Sequence, residues 1–246
     1  MTEKTEKNPV SEDGIQLLEV CVRYGRIEAL SRVSFTLRAH ECVALLGLNG
    51  AGKTTTMRLL SGLAAPQSGS VRVFGLDPLQ DSVEVRRRIG YLPEENFLDP
   101  SLTLSEHMDL FAAVYKLARD TYARRRQELV DFLQLGDVLH RLTGGFSRGY
   151  RQRAALSLVL LHDPGFVILD EPVTGLDPQQ QEAFHDLVRQ MAGTRTVLLS
   201  THLLSEAREL AQRALVLSSG RLTHDGPMIG DDDLRRALLG EEVSHA

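Results

Sequence analysis

The residues from Gly47 to Thr54 have the types and the spacing needed to bind a phosphate chain. They read GLNGAGKT and match the pattern G-x-x-x-x-G-K-[ST]. The glycines let backbone N–H groups approach phosphate oxygens, and a helix that follows adds its N-terminal dipole. Lys53 can reach the β- and γ-phosphates, and Thr54 can place its hydroxyl on Mg²⁺. The alternative is a glycine-rich turn that binds nothing, and the strand before the loop and the helix after it argue against that.

Two adjacent carboxylates end an apolar run later in the chain. The run spans residues 166–169, and Asp170 and Glu171 follow it. Since side chains alternate along a strand, the two carboxylates can take separate roles where the strand ends. Asp170 can anchor Mg²⁺, and Glu171 can polarise an attacking water as a general base. An acidic turn that caps the next helix is the alternative, and the phosphate loop upstream disfavours it.

A histidine follows a third apolar run. The run spans residues 196–200, and His202 comes two residues after it. Alone, such a histidine is an ordinary hydrogen-bonded residue at a strand end. Ligands bind at the carboxyl edge of parallel sheets, so His202 after a third parallel strand is a candidate sensor of a γ-phosphate. The remaining histidines show no metal-ligand spacing and are assigned to the surface or the core.

The elements that must position these residues alternate between strands and helices. Several runs rich in Val, Ile and Leu are typical of strands buried on both faces of a sheet. We therefore predict an α/β fold with a mainly parallel sheet, interrupted by a helical insertion at about residues 92–163. The predicted β segments are 15–24, 34–47, 71–75, 166–170, 196–200 and 214–218, and the predicted helical stretches include 53–63 and 104–135.

Charge and hydropathy narrow the class of protein. The formal net charge of -5 argues against a general nucleic-acid binder, and the arginine runs at 86–88 and 124–126 read as solvated helix faces. The N-terminus lacks the apolar run of a signal peptide, and no apolar run approaches the roughly 20 residues of a membrane span. We expect a cytosolic chain with residues 1–12 disordered, one domain over 13–230, and an acidic tail at 231–246 whose surface helix frays.

These motifs, in this order, resemble the ATP-binding subunits of ABC transporters over nearly the whole chain. The resemblance implies an ABC-type ATPase domain of the P-loop NTPase fold that hydrolyses ATP with Mg²⁺. Its RecA-like core comprises residues 13–91 and 164–230, with an N-terminal antiparallel β section and an inserted α-helical subdomain at 92–163. The loop residues that the resemblance assigns to ATP are Gly47, Leu48, Asn49, Gly50, Ala51, Gly52, Lys53, Thr54 and Thr55.

The resemblance also assigns roles to residues outside the loop. Tyr24 matches the aromatic residue that stacks on adenine, and its alternative is an ordinary strand aromatic. Glu94 stands where the family usually has the glutamine of the Q-loop, which touches Mg²⁺ and senses the membrane partner. The metal ligands are then Thr54, Glu94 and Asp170, and the catalytic residues are Lys53, Glu171 and His202.

The stretch FSRGYRQR, residues 146–153, falls where the family carries its LSGGQ signature. Ser147 and Gly149 are retained, whereas Arg148 and Tyr150 replace a glycine and the glutamine. Ser147 is a suitable N-cap for a helix whose N–H groups face a γ-phosphate. In this family that phosphate belongs to the other subunit. Ser147, Arg148, Gly149 and Asp177, the last of residues 175–177 that match the family's D-loop, are therefore predicted to contact ATP in trans. Arg148 could strengthen a closed dimer or point to solvent.

The resemblance also implies a transport function. ATP is expected to close a homodimer that powers a separate transmembrane permease, docked between the helical insertion and the core. The chain would then lie on the cytoplasmic face of the membrane, with no nucleic-acid partner. The stretches YLPEE and FSRGY resemble exporter ATPases of the ABC-2 type, of the gliding-motility, sodium-efflux and multidrug kinds. The alternatives are a nutrient-importer ATPase and a non-transport ABC ATPase acting on DNA or ribosomes. The cargo and a heterodimeric pairing stay open.

Overall fold

The computed structural model of the protein describes residues 14–95 and 97–241. Strands and helices alternate within these ranges and form two sheets, one of three strands and one of six. The α/β class is therefore confirmed. The predicted disordered segment 1–12 lies outside the described residues, as do the last five residues of the predicted tail.

The three-stranded sheet is antiparallel and comes from the first part of the chain. Its central strand β1 (Ile15–Tyr24) pairs with β2 (Ile27–Leu37) on one side and with β4 (Ser68–Val73) on the other. Alternate residues of β1 and β2 are buried, as expected for strands with one face on a core. This sheet confirms the antiparallel β section, but the segment predicted at 34–47 is two strands separated by residues 38–41.

The six-stranded sheet contains the remaining strands, which are β3 (Cys42–Gly47), β5 (Ile89–Leu92), β6 (Phe166–Asp170), β7 (Thr196–Thr201), β8 (Arg213–Ser218) and β9 (Arg221–Pro227). Their order in the sheet is β5-β6-β7-β3-β8-β9. The first five strands in that order are parallel, and β9 runs antiparallel to β8. β6 and β7 are buried at every position, which matches their unbroken apolar sequences. The sequence analysis did not predict β5 and β9.

The helices fall into a core set and an inserted set. The predicted stretch 104–135 is two helices, α3 and α4, which pack with α5 around a shared apolar cluster. Among the described residues, no helix is both long enough and apolar enough to cross a bilayer. The core helices are α1 (Lys53–Leu60), α2 (Ser82–Arg88), α6 (Pro178–Ala192), α7 (Leu204–Leu210) and α8 (Asp231–Leu238), and the inserted helices are α3 (Leu104–Val114), α4 (Arg119–Phe132) and α5 (Arg148–Leu160).

The C-terminal helix α8 lies in the predicted acidic tail, where a surface helix was expected, and it packs one face onto the sheet while the other face is exposed. The fraying of this helix stays a prediction. Leu234 and Ala237 are fully buried and belong to an apolar cluster with residues of β3 and β8. The hydroxyl of Thr223 also donates to the Ala237 carbonyl at 2.8 Å. Burial of two apolar residues on one face holds an otherwise charged helix in place.

Candidate active site

The carboxyl ends of three neighbouring parallel strands bring the predicted site residues together. Leu46 of β3 pairs with Thr201 of β7, and Asp170 of β6 pairs with Ser200. The residues that follow these strands therefore meet at one edge of the sheet, where α/β proteins bind ligands. They form a cleft of about 390 Å³, lined by Ile27, Ala29, Leu48, Asn49, Gly50, Gly52, Lys53, Thr54, Thr55, Glu94, Asp170, Glu171, Thr174 and His202.

The phosphate loop needs its glycines for two different reasons. A Cβ at position 47 would lie 2.8 Å from the Leu217 carbonyl oxygen, so close packing excludes a side chain there. Gly52 has a φ of 111° and also lies against the Ala29 carbonyl. Gly52 is the N-cap of α1, and because glycine has no side chain, no side-chain hydrogen bond caps this end of the helix. The first N–H groups of α1 are thus available to an anion.

Lys53 is held inside the cleft by contacts at its ammonium group. The residue is 7% exposed, and Nζ donates a hydrogen bond to the Gly47 carbonyl at 2.7 Å. Nζ also lies 3.6 Å from Oε1 of Glu171. The lysine predicted to bind phosphate is therefore already beside the predicted general base.

Asp170 and Glu94 both contribute carboxylates to the lining of the cleft. Asp170 is buried at the end of β6, and Oδ2 accepts a hydrogen bond from the Tyr91 hydroxyl at 3.4 Å. Burial raises the pKa of Asp170, and the negative charges of Glu94 and Glu171 raise it further. A divalent cation between these carboxylates would relieve that repulsion, and oxygen ligands are those Mg²⁺ prefers. The residues present fit a magnesium site.

Glu171 is in contact with His202. Nδ1 of the histidine lies 2.8 Å from Oε2 of Glu171, and the histidine side chain is 51% exposed. Glu171 has a φ of 47°, in the left-handed region that non-glycine residues rarely adopt. Its N–H donates to the Ser200 carbonyl at 3.0 Å, which helps to hold this conformation. Such strain is typical of functional sites.

The cleft differs from the sequence-based assignment at its rim. The residues that line it do not include Tyr24, whose side chain is exposed at the end of β1, whereas Ile27 of β2 does line it. Adenine stacking by Tyr24 therefore stays a prediction. Sequence reasoning also missed Thr174 and the support of Asp170 by Tyr91. The signal for Tyr91 was its place in a short apolar run between a helix and the predicted Q-loop.

The signature residues lie outside this cleft. Ser147 is the N-cap of α5, and its hydroxyl accepts from the Tyr150 N–H at 3.3 Å. Ser147 and Gly149 line a second cavity of about 280 Å³. A Cβ on Gly149 would lie 2.9 Å from the side-chain oxygen of Gln180, so α5 approaches the start of α6 closely. Among the described residues of a single chain, the predicted signature and the phosphate loop therefore line different cavities.

Arg148 lies against the D-loop of its own chain. A Cβ on Gly175 would be 2.2 Å from Nη1 of Arg148, so the guanidinium covers the face of this glycine. Two residues later, Asp177 caps α6 and accepts from the Gln180 N–H at 2.9 Å. Arg148, the charged replacement in the predicted signature, therefore contacts the predicted D-loop of the same chain.

Sequence comparison assigns the chain to a family. The profile described as ABC transporter matches residues 30–174. The chain is 36% identical over 214 residues to the uncharacterized ABC transporter ATP-binding protein YxlF of Bacillus subtilis, covering 87% of this chain and 71% of that protein. It is 34% identical to the ABC transporter ATP-binding protein NatA of the same organism, covering 82% and 83%. It is 35% identical to the Nod factor export ATP-binding protein I of Ralstonia nicotianae, covering 83% of this chain but only 64% of that protein's length.

Solved structures agree with the sequence matches. A structure described as the ATP-binding subunit of an ABC transporter superposes with a TM-score of 0.80 at 32% identity, covering 93% of this chain and 95% of that chain. The ATP-binding cassette MJ0796, solved as a dimer with ADP and Pi, shares the fold with a TM-score of 0.77 at 24% identity, covering 88% of this chain and 99% of that chain. The chain therefore belongs to the ABC transporter family and is one of its ATP-binding, ATP-hydrolysing subunits.

Proposed function

We propose that Glu171 activates the water that attacks ATP, while Lys53 and His202 stabilise charge on the transferred phosphoryl group. One observation carries this assignment: the Glu171 carboxylate lies between the Lys53 ammonium and the His202 ring in the cleft of the phosphate loop. The Lys53 ammonium offsets the charge of the Glu171 carboxylate, 3.6 Å away. A γ-phosphate that draws Lys53 away frees the carboxylate to accept a proton from water.

Mg²⁺ is the metal that we assign to this site. Thr54 and Asp170 are its proposed protein ligands, and Glu94 adds a carboxylate at the position where the family resemblance implies a glutamine. When bound, the ion neutralises charge on the phosphate oxygens. The support is the donor set itself, a hydroxyl and two carboxylates that line one cleft.

Replacement of Glu171 by glutamine tests the assignment of the base. Glutamine keeps the shape but cannot accept the proton, and a general base contributes roughly 10²- to 10⁴-fold to the rate. We expect steady-state hydrolysis to fall by that factor while nucleotide binding persists. Glu128→Gln, an exposed site on α4 outside the cleft, is the matched control. Hydrolysis by Glu171→Gln near the wild-type rate would remove the residue from its role.

We further propose that two chains complete each site in trans, with Ser147, Arg148, Gly149 and Asp177 facing the nucleotide of the partner. In support, the N-terminus of α5 is separate from the cleft of its own chain. A mixing experiment separates cis from trans. Glu171→Gln and Ser147→Arg chains are each expected to be inactive as homodimers. A mixed dimer contains one intact site, so activity should return on mixing, whereas sites completed in cis would stay inactive.

Export through a separate membrane-spanning permease is the transport function we propose, on the cytoplasmic face of the membrane. Similarity to the Nod factor export protein supports export, as do the replacements Glu94, Arg148 and Tyr150. Co-purification with the permease and substrate-stimulated hydrolysis would test the coupling. In inside-out vesicles, ATP added outside should drive cargo inward for an exporter. Outward movement of preloaded cargo would instead indicate an importer.

A further inference from the structure

Helices α6 and α7 bring one histidine and three glutamates together, away from the proposed active-site residues. Glu182 and His185 come from α6, and Glu206 and Glu209 from α7. The members of each pair are three residues apart, so each pair shares a helix face. Ligand atoms of Glu182, His185 and Glu209 all lie within 4.8 Å of one another.

The imidazole of His185 lies between two carboxylates. Its Nδ1 is 2.9 Å from Oε2 of Glu209, and its Nε2 is 3.7 Å from Oε1 of Glu206. An ionised carboxylate only accepts hydrogen bonds, and a neutral imidazole carries one proton. A neutral imidazole can therefore donate to only one of these two carboxylates. Two arrangements would serve both carboxylates: both ring nitrogens carry a proton, or one carries a proton and the other binds a metal ion.

Glu206 is an independent observation that this cluster needs a further group. It is 2% exposed, and among the described residues neither of its carboxylate oxygens has a hydrogen-bond partner. A buried carboxylate without a hydrogen-bond partner is costly. Histidines that bind metals usually donate their other ring N–H to a carboxylate, which fixes the ring. Glu206 stands where that carboxylate is needed, on the Nε2 side of the ring.

We propose that Glu182, His185 through Nδ1, and Glu209 bind a divalent cation of the Zn²⁺ type, with Glu206 orienting the imidazole. One imidazole nitrogen with carboxylate oxygens is a ligand set that Zn²⁺ accepts. Bonds of about 2.0–2.2 Å place two ligand atoms at most about 4.4 Å apart. The side chains of Glu182 and Glu209 are 62% and 34% exposed, so small rotations close the site.

Arg189 is the cation that competes for these carboxylates. It pairs with Glu209 and Asp186, and its Nη1 lies 3.5 Å from Glu182. Exposed ion pairs of this kind are weak, so the metal can replace the guanidinium. Since α6 begins after Asp177 and α7 shortly after His202, a bound metal would link the D-loop to the histidine of the proposed active site.

Equilibrium dialysis of the tag-free, nucleotide-free full chain against Zn²⁺, with Mg²⁺ in large excess, tests the site. We expect about one Zn²⁺ per chain and a rise in the melting temperature. His185→Gln and Glu209→Gln should lose both. Glu206→Gln should keep the stoichiometry and weaken the affinity by roughly 10- to 100-fold. His140→Gln, an exposed histidine elsewhere, is the control.

Three results would overturn the proposal. Equal Zn²⁺ binding by wild type and by both ligand variants would place the metal elsewhere. No binding by wild type would leave His185 as an imidazolium. Binding that begins only with Arg189→Gln would make the arginine the resident cation. None of these readouts depends on hydrolysis, so they are independent of the proposed active site.

Discussion

Substitution of Gly175 by alanine separates the structural from the functional role of the contact between Arg148 and the D-loop. Gly175 has a φ of 72°, and a Cβ at this position would lie 2.2 Å from the Arg148 guanidinium. Alanine therefore has two effects. It strains the backbone, and it pushes the guanidinium off the D-loop.

The structure allows the two effects to be sized separately. A non-glycine residue in the left-handed region costs about 1–2 kcal/mol. Gly75 has a φ of 75°, and no described atom would lie within 4 Å of a Cβ placed there, so Gly75→Ala carries the strain alone. Arg148 is an exposed residue, so we expect displacement of its side chain to change stability by less than about 0.5 kcal/mol. Both glycine variants should therefore be destabilised about equally.

Hydrolysis should distinguish the two glycine variants. If Arg148 faces the nucleotide of the partner, a charge at about 4 Å across solvent contributes about 1 kcal/mol, or roughly fivefold in rate. Gly175→Ala and Arg148→Ala should each lose that factor, and Gly75→Ala should not. The double variant of Gly175 and Arg148 should lose no more than either single variant, because one contact is removed twice.

Urea unfolding measures the stability of each variant, and steady-state hydrolysis at saturating ATP measures its activity. Two outcomes would refute the reasoning. If the hydrolysis rate of the double variant falls by the product of the two single losses, Gly175 and Arg148 act separately. A Gly175→Ala protein much less stable than Gly75→Ala would show that Arg148 is a structural contact.

Two further predictions concern the pH dependence of stability and the phosphate loop. Burial lowers the pKa of His162 below its ordinary value of 6.5, so the unfolded chain binds this proton more readily and stability is lost as the pH falls below that value. His162→Phe should reduce this loss of stability at low pH by up to about 1.4 kcal/mol per pH unit. Urea unfolding at a series of pH values below 6.5 measures the dependence, and the same dependence in the variant and the wild type would contradict the assignment. Gly52→Ala should destabilise the chain more than Gly50→Ala, because only position 52 meets backbone within 3 Å. Equal melting temperatures for the two variants would count against this packing.

Features that depend on neighbours in the sequence were predictable. The phosphate loop is contiguous, and its glycines, Lys53 and Thr54 are fixed by a short pattern. The strands β6 and β7 are recognisable because full burial demands an unbroken apolar run. The capping role of Ser147 was also predictable, because an N-cap depends only on the residues next to it in the sequence.

Features that depend on distant partners were not predicted, namely strand β5 and the packing of the predicted tail helix α8 onto the sheet. β5 has only four residues and includes a glycine, and it is a strand because it pairs with β6. Helix α8 has a charged sequence, and its position depends on the burial of Leu234 and Ala237 against the sheet. Local propensity is a weak signal in such short segments, and tertiary packing overrides it.

The family, the fold class and the residues that converge on one sheet edge are predictable from the sequence, because parallel strands carry their C-terminal residues to the same side. Which distant side chains meet depends on the tertiary packing. Helix α5 and strand β6 separate Arg148 from Gly175 in the sequence, yet the two residues are in contact. The His185 cluster likewise joins α6 and α7, which β7 separates in the sequence. No pattern in the sequence encodes such pairs, because they are set by how the helices pack.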